Sequence, residues 1–257
     1  MSKLKGKIAI VTGGSRGIGL GIAKRLAQDG ADIIIGDVLD MSEAKAEIES
    51  LGVKCITMTC DVTREVDCQA LVDRAVAEYG KLDIMVANAG IANIKLMTET
   101  TAEEWDQLFA VNTKGVFLCD KAAALQMMKQ NYGKIINCAS IAAHAGFAFL
   151  GGYSATKFAV RGLTQALAKE LGKYNIQVNA YCPGIVGTKM WELIDEKMGP
   201  YLGNEKGETL KQYTGLITAG RVETPDDVAT FVSYLASPDS DYMTGQSVMI
   251  DGGIIMN

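Results

Sequence analysis

The tightest constraint on how this chain can fold lies between residues 7 and 28. A short β-branched run at 7–11 stops at Thr12-Gly13-Gly14-Ser15-Arg16-Gly17-Ile18-Gly19, and helical periodicity takes over from 20 to 28. A strand that passes through a glycine-rich turn straight into a helix is the opening half of a parallel crossover. Glycines allow the tight turn and a close backbone approach to a pyrophosphate, while the helix N-terminus offers unpaired N–H groups to an anion. On this pattern alone a ligand-free strand-to-helix turn remains an equal alternative.

The rest of the chain repeats the alternation. A second strand at 31–37 ends in Asp37, and a third at 53–60 is followed by Asp61-Val62. A fourth at 82–87 breaks at Asn88-Ala89-Gly90, where small residues let a bound cofactor lie against the backbone. Thr101-Ala102-Glu103-Glu104 is a capping-box sequence opening a long helix that contains Asn112, an amide that needs either a structural network or a water relay if buried. A fifth strand at 134–139 delivers Ser140, and a helix from 152 to 172 carries Tyr153 and Lys157. The sixth strand, 176–182, ends at Pro183-Gly184, and a looser stretch at 185–220 is expected to form a lid. Thr224-Pro225-Asp226-Asp227 starts a last helix before a seventh strand at 247–251. These elements predict an α/β chain: a doubly wound, seven-stranded parallel sheet with helices on both faces, forming one domain over 1–257.

Three residue types within this pattern carry chemistry. Asp37 falls about 20 residues beyond the glycine turn, where an acid accepts from the adenosine ribose hydroxyls and repels a 2′-phosphate. That predicts NAD rather than NADP, although Arg16 is placed to pull the other way. Asp61 could face an adenine edge or equally cap a helix starting at Thr63. Tyr153 and Lys157, four apart on a helix, share a face, and a neighbouring cation favours phenolate over phenol. The pair reads as a proton-transfer site, against the plainer reading of an amphipathic face with a snorkelling lysine.

Composition narrows the function. With 257 residues, 48% hydrophobic and 21% charged, the chain can bury one sizeable core. A net charge of -5 with scattered Lys and Arg speaks against nucleic acid as a partner. No apolar run approaches the ~20 residues of a membrane span, and the run behind the basic start is too short for a signal peptide. Six cysteines without a Cys-x-x-Cys pair, and His144 as the only histidine, give no metal site and suit buried thiols in a reducing cytoplasm.

Taken in order, Thr12-Gly13-x-x-x-Gly17-x-Gly19, Asp37, Asp61, Asn88-Ala89-Gly90, Asn112, Ser140, Tyr153-x-x-x-Lys157 and Pro183-Gly184 resemble the short-chain dehydrogenase/reductase family over essentially the whole chain. The resemblance implies a Rossmann fold and an NAD-dependent oxidoreductase that interconverts a secondary alcohol and its ketone. It casts Tyr153 as acid/base, Lys157 as holding the nicotinamide ribose and lowering the Tyr153 pKa, Ser140 as donor to the reacting oxygen, and Asn112 as positioning a water. It implies cofactor contacts from Gly13, Ser15, Arg16, Gly17, Ile18, Gly19, Asp37, Asp61, Val62, Asn88, Ala89, Gly90, Tyr153, Lys157, Pro183, Gly184, Val186 and Thr188. A homotetramer is implied as well, with the apolar tail at 254–256 at an interface.

The segments 181–191 and 233–253 are similar to acetoin reductases, also called meso-2,3-butanediol dehydrogenases, and to related polyol dehydrogenases. That group carries polar residues where this chain has Ile141 and Phe147. A more apolar pocket is therefore expected, with Ile141, His144, Phe147 and Trp191 as candidate substrate contacts and Phe149, Leu150 and Met190 completing the wall. A hydroxysteroid dehydrogenase, a 3-ketoacyl-carrier-protein reductase and a non-catalytic NAD-sensing regulator are the alternatives. Asp37 disfavours the second, and the intact proton relay disfavours the third.

Overall fold

The computed structural model describes residues 2–256. The elements alternate as expected: β1 (Ile8–Thr12), α1 (Gly17–Gln28), β2 (Asp32–Asp37), α2 (Ser42–Glu49), β3 (Cys55–Thr59), α3 (Glu65–Tyr79) and β4 (Ile84–Ala87) form the first half. The second half runs α4 (Ala102–Phe109), α5 (Gly115–Gln130), β5 (Gly133–Cys138), α6 (Gly151–Leu171), β6 (Ile176–Pro183), α7 (Lys189–Leu202), α8 (Glu208–Thr214), α9 (Pro225–Ala236) and β7 (Ser247–Ile250).

The strands form one parallel sheet in the order β3-β2-β1-β4-β5-β6-β7. Strand order reverses between β1 and β4, which opens a crevice at the carboxyl ends of the strands. Period-two alternation sends successive side chains of β1 into different cores. Ile8 and Ile10 pack with Leu71, Val116 and Val160 from α3, α5 and α6, whereas Ala9 and Val11 pack with Ile22, Leu26 and Val228 from α1 and α9. Covered on both faces, β1 and β4 are buried at every position, which explains their unbroken apolar runs. Truncating a fully buried residue such as Leu26 to alanine should cost ~2–5 kcal/mol.

Several local expectations are refined. Thr101 and Thr224 both form complete capping boxes, and Pro225 opens α9. The helix expected to run unbroken past Asn112 is interrupted, because residues Ala110–Lys114 form a π-helical turn between α4 and α5. The helix expected from Thr63 begins at Glu65: Asp61 accepts from the Thr63 N–H at 2.9 Å and its hydroxyl at 2.8 Å, so the chain makes an Asx turn first. The 185–220 stretch holds α7 and α8, as the helical pieces expected there. Ile185 and Val186 are buried, with Val186 bridged to Glu223, and α7 follows. There Ile194 and Met198 form a small third core with Ile94, Phe149, Leu150, Met190, Trp191 and Tyr213. Among the described residues, no helix is long and apolar enough to cross a membrane.

Candidate active site

The glycine turn is pressed against the end of β4. A Cβ on Gly13 would lie 2.9 Å from the Ala89 Cα, and one on Gly19 would lie 2.6 Å from the Asn88 Nδ2, so neither position admits a side chain. Thr12 Oγ1 accepts from the N–H groups of Asn88 and Ala89 at 3.1 and 3.2 Å. Asn88 Nδ2 returns the contact by donating to the carbonyls of Thr12 and Gly13 at 3.0 and 3.2 Å. Its Oδ1 accepts from the Tyr181 hydroxyl at 2.8 Å, tying β6 to β4 across β5. The Asn88 side chain is thus occupied in holding the crevice in shape.

On the other side of the turn, Asp37 Oδ2 accepts from the Ser15 N–H at 3.0 Å and Oδ1 from the Leu39 N–H at 3.1 Å. Each carboxylate oxygen keeps a further lone pair. Ser15 Oγ is buried and makes no hydrogen bond, Gly17 has φ +58°, and Arg16 is exposed. An orphaned hydroxyl in a glycine turn at a helix N-terminus, beside a strand-end carboxylate, fits the phosphates and ribose of a dinucleotide. Thr188 closes the far side, its Cγ2 3.6 Å from where a Gly17 Cβ would stand. Ile18 packs into the core beneath α1, and Val62 is buried where it would meet any side chain at Gly115. Asp61 is held below the usual carboxylate range by its Thr63 bonds.

Ser140, Tyr153, Lys157 and Asn112 converge beyond β5. Lys157, one turn after Tyr153 on α6, has Nζ 5.4 Å from the tyrosine ring centroid and donates to the Cys138 carbonyl at 2.7 Å. Ser140 Oγ accepts from the Ala142 N–H at 3.1 Å, which leaves its own proton free to donate, and its interaction with Tyr153 favours the phenolate. Burial raises the Tyr153 pKa above the ordinary value, and the Lys157 charge and the Ser140 contact offset only part of that rise. The expected lowering by Lys157 is present, and desolvation of the buried phenolate outweighs it. Burial works against the Lys157 ammonium too, but the acidic groups of Cys138, Tyr153 and Cys182 outweigh it and raise its pKa.

Asn112 is fully buried, and its amide forms a structural network. Oδ1 accepts from the Ile91 N–H at 2.8 Å, while Nδ2 donates to the Ile91 carbonyl at 2.8 Å and to Thr156 Oγ1 at 3.2 Å. The π-helical turn that carries it is thereby stapled to the Gly90 region and to α6. A Cβ on Gly90 would be 3.3 Å from Asn112 Oδ1 and 3.8 Å from Lys157 Nζ.

The four candidate substrate contacts separate. Ile141 is buried directly after Ser140, and Phe147 is half-buried with its N–H on Ser154 Oγ at 3.4 Å. His144 has Nε2 3.6 Å from Cys182 Sγ and a bond to the Ser247 backbone, and burial lowers its pKa, so its ring addresses β6 and β7. Trp191 packs in the small third core, 5.8 Å from the Tyr213 ring. Phe149 holds φ +63°, unusual for an aromatic residue, while its carbonyl accepts from the Lys95 N–H at 2.9 Å and its ring lies 5.0 Å from that of Tyr201.

Sequence reasoning missed several participants. Thr12 and Tyr181 were read only as members of motifs and not for the hydrogen bonds they make, and Thr156 and Ile94 were not singled out. Glu223 was missed altogether: it is buried, its Oε2 accepts from the Gly184 N–H at 3.0 Å, and burial pushes its carboxyl up to about 7.

A Rossmann sheet with a glycine turn, a strand-end acid and a Ser-Tyr-Lys cluster at one crevice defines a dinucleotide-binding oxidoreductase. Comparison with known proteins places it further. Residues 13–255 match the family model described as enoyl-(acyl carrier protein) reductase. The chain is 46% identical over 256 residues to L-2,3-butanediol dehydrogenase of Corynebacterium glutamicum, covering 98% of this chain and 99% of that one. It is 44% identical over 253 residues to the (S)-acetoin-forming diacetyl reductase of Staphylococcus epidermidis, covering 97% and 98%. A crystal structure of NAD+-bound xylitol dehydrogenase superposes with a TM-score of 0.94 at 33% identity, over 98% of this chain and 100% of that chain. The chain belongs to the short-chain dehydrogenase/reductase family.

Proposed function

We propose that this chain is an NAD-dependent dehydrogenase/reductase that interconverts a secondary alcohol, of the small diol, polyol or hydroxyketone class, and its ketone. The carrying observation is the convergence of Ser140, Tyr153 and Lys157 at the carboxyl end of β5, beside the glycine turn and Asp37. NAD, when bound, supplies the hydride acceptor or donor at C4 of its nicotinamide. Asp37 selects NAD through its remaining lone pairs, which suit ribose hydroxyls and repel a 2′-phosphate.

In the reducing direction the Tyr153 phenol gives its proton to the carbonyl oxygen as that oxygen gains charge. Ser140 donates to the same oxygen, having committed a lone pair to Ala142. Lys157 keeps two N–H donors after its bond to Cys138, which suit ribose hydroxyls, and its charge stabilises the phenolate left behind. Asn112 fixes Ile91 and Thr156, and thereby the distance between the cofactor side and α6. Phe149, Leu150 and the lid core around Trp191 exclude water from the pocket.

The named relatives act on butanediol, diacetyl or acetoin, and xylitol, which supports a small oxygenated substrate. Exposed Phe117 and Leu125 on α5 and Phe158 on α6 support assembly of a homotetramer through these helices, in a cytoplasmic setting that suits six free cysteines. The test is NADH oxidation across acetoin, diacetyl, larger secondary ketones and a small steroid panel, repeated with NADPH. Turnover of small hydroxyketones or diketones with NADH is expected. Tight NADH binding with no turnover of any carbonyl compound would point instead to a sensor.

A further inference from the structure

Glu223 grips residues 184–187 three times. Its N–H donates to the Ile185 carbonyl at 2.9 Å, its carbonyl accepts from the Gly187 N–H at 2.9 Å, and its side-chain Oε2 accepts from the Gly184 N–H at 3.0 Å. The gripped segment begins at the end of β6, beside Ser140 and Cys182, and ends next to Thr188, which stands against Gly17 of the glycine turn. It therefore spans from the catalytic cluster to the phosphate end of the crevice. Gly184 admits no side chain, because a Cβ there would lie 2.8 Å from the Asp251 Cα.

The carboxylate itself is the unusual part. Three acids meet here, and two have several donors of their own. Asp227 accepts from Arg221 at 2.6 and 2.7 Å and from the Thr224 N–H at 2.8 Å, while Asp251 accepts from the N–H groups of Gly253 and Ile255 at 2.9 and 2.8 Å. Glu223 has one donor for two buried oxygens, and its Oε1 has no partner. A fold gains no stability from such a group, since a neutral side chain would span the same gap without the desolvation penalty. What the charge does act on is the Gly184 N–H, which it shares with the Ile250 carbonyl at 3.1 Å.

We propose that Glu223 is a positioning residue for dinucleotide binding, its carboxylate holding the Gly184 N–H so that residues 184–187 present a preformed wall between the catalytic cluster and the glycine turn. The inference rests on the dinucleotide reading above. Because burial and the nearby Asp227 and Asp251 make Glu223 a weak acid, with Arg221 pulling the other way, the charge-assisted bond should strengthen as pH rises through neutrality and weaken to a neutral bond below it.

The test compares wild type, Glu223→Gln and Glu223→Ala as full-length chains, by NADH fluorescence titration at about pH 6 and about pH 8.5 and by hydrogen–deuterium exchange at residues 183–188 without dinucleotide. Glu223→Ala should raise the NADH Kd roughly tenfold, speed exchange in this segment, and raise KM for NADH more than it lowers kcat. Glu223→Gln keeps an oxygen for Gly184, so it should match wild type at the lower pH and bind more weakly than wild type at the higher one. Should the alanine variant not fold, the isosteric glutamine variant carries the test alone. Identical Kd values and exchange in wild type and the glutamine variant at both pH values would overturn the proposal. Failure of wild type to bind NADH would overturn the dinucleotide reading along with it.

Discussion

Lys157 Nζ donates to the carbonyl of Cys138 at 2.7 Å, so the positive charge beside Tyr153 is held by the last residue of β5 as well as by its own helix. The strand end and α6 are thereby locked together at the point where Ser140 and Tyr153 meet. Tethering one proton of the ammonium restricts its motion without spending its charge.

The first prediction concerns that charge. With the Tyr153 pKa raised by burial and only partly offset by Lys157, Lys157→Met should raise it further. Alcohol oxidation needs the phenolate, so its rate rises with pH through the tyrosine pKa, and the variant's rise should move to higher pH. Turnover near neutrality should fall roughly 10²–10⁴-fold. The check is a pH profile of kcat for alcohol oxidation in both forms, after confirming by circular dichroism that the variant is folded.

A second prediction follows from Asp37. Asp37→Ala removes both the acceptor offered to a ribose and the anchor of the Ser15 N–H. The kcat/KM for NAD should drop about tenfold or more, and that for NADP should drop less or rise, because a repulsive charge is gone. Steady-state kinetics with both cofactors decide it.

The third concerns a buried acid remote from catalysis. Asp120 on α5 is fully buried, accepts from Asn137 Nδ2 at 2.9 Å, and has Oδ1 unpartnered, while burial pushes its carboxyl up to about 8. Its folded pKa lies above the unfolded value, so the stability of the neutral form is complete at low pH and is lost as pH rises through about 8. Asp120→Asn should remove that loss. The difference in Tm between the variant and wild type should grow in the variant's favour from about pH 6 to about pH 9, by about 2 °C or more. A constant difference across that range would contradict it.

The sequence carried the sheet and the crevice because each rests on local signals. Period-two apolar strands, glycine stops and capping boxes at Thr101 and Thr224 are properties of neighbouring residues. Tyr153 and Lys157 were visible because helix geometry converts a spacing of four into a shared face, and Ser140 because it stands at a strand end and matches the family pattern. What stayed hidden depends on contacts between distant segments. The π-helical turn at Ala110–Lys114 leaves the helical pattern intact in sequence, and Asn112 selects its network only when Ile91 and Thr156 arrive. The net direction of the Tyr153 shift depends on burial, which a Tyr-x-x-x-Lys spacing does not encode. His144 follows Ser140 closely in the chain, yet a short 3₁₀ turn at Ile141–Ala143 intervenes and its ring addresses Cys182. Glu223 belongs to no local pattern, and its burial is created by the chain folding back onto residues 184–187.

The most direct measurement is NADH oxidation with acetoin or diacetyl by wild type and Tyr153→Phe, paired with NADH fluorescence titration of both. The phenylalanine variant should lose turnover by roughly 10²-fold or more while its NADH Kd stays within about threefold of wild type. Turnover at wild-type rate in that variant would contradict the assignment of Tyr153 as the proton-transferring group.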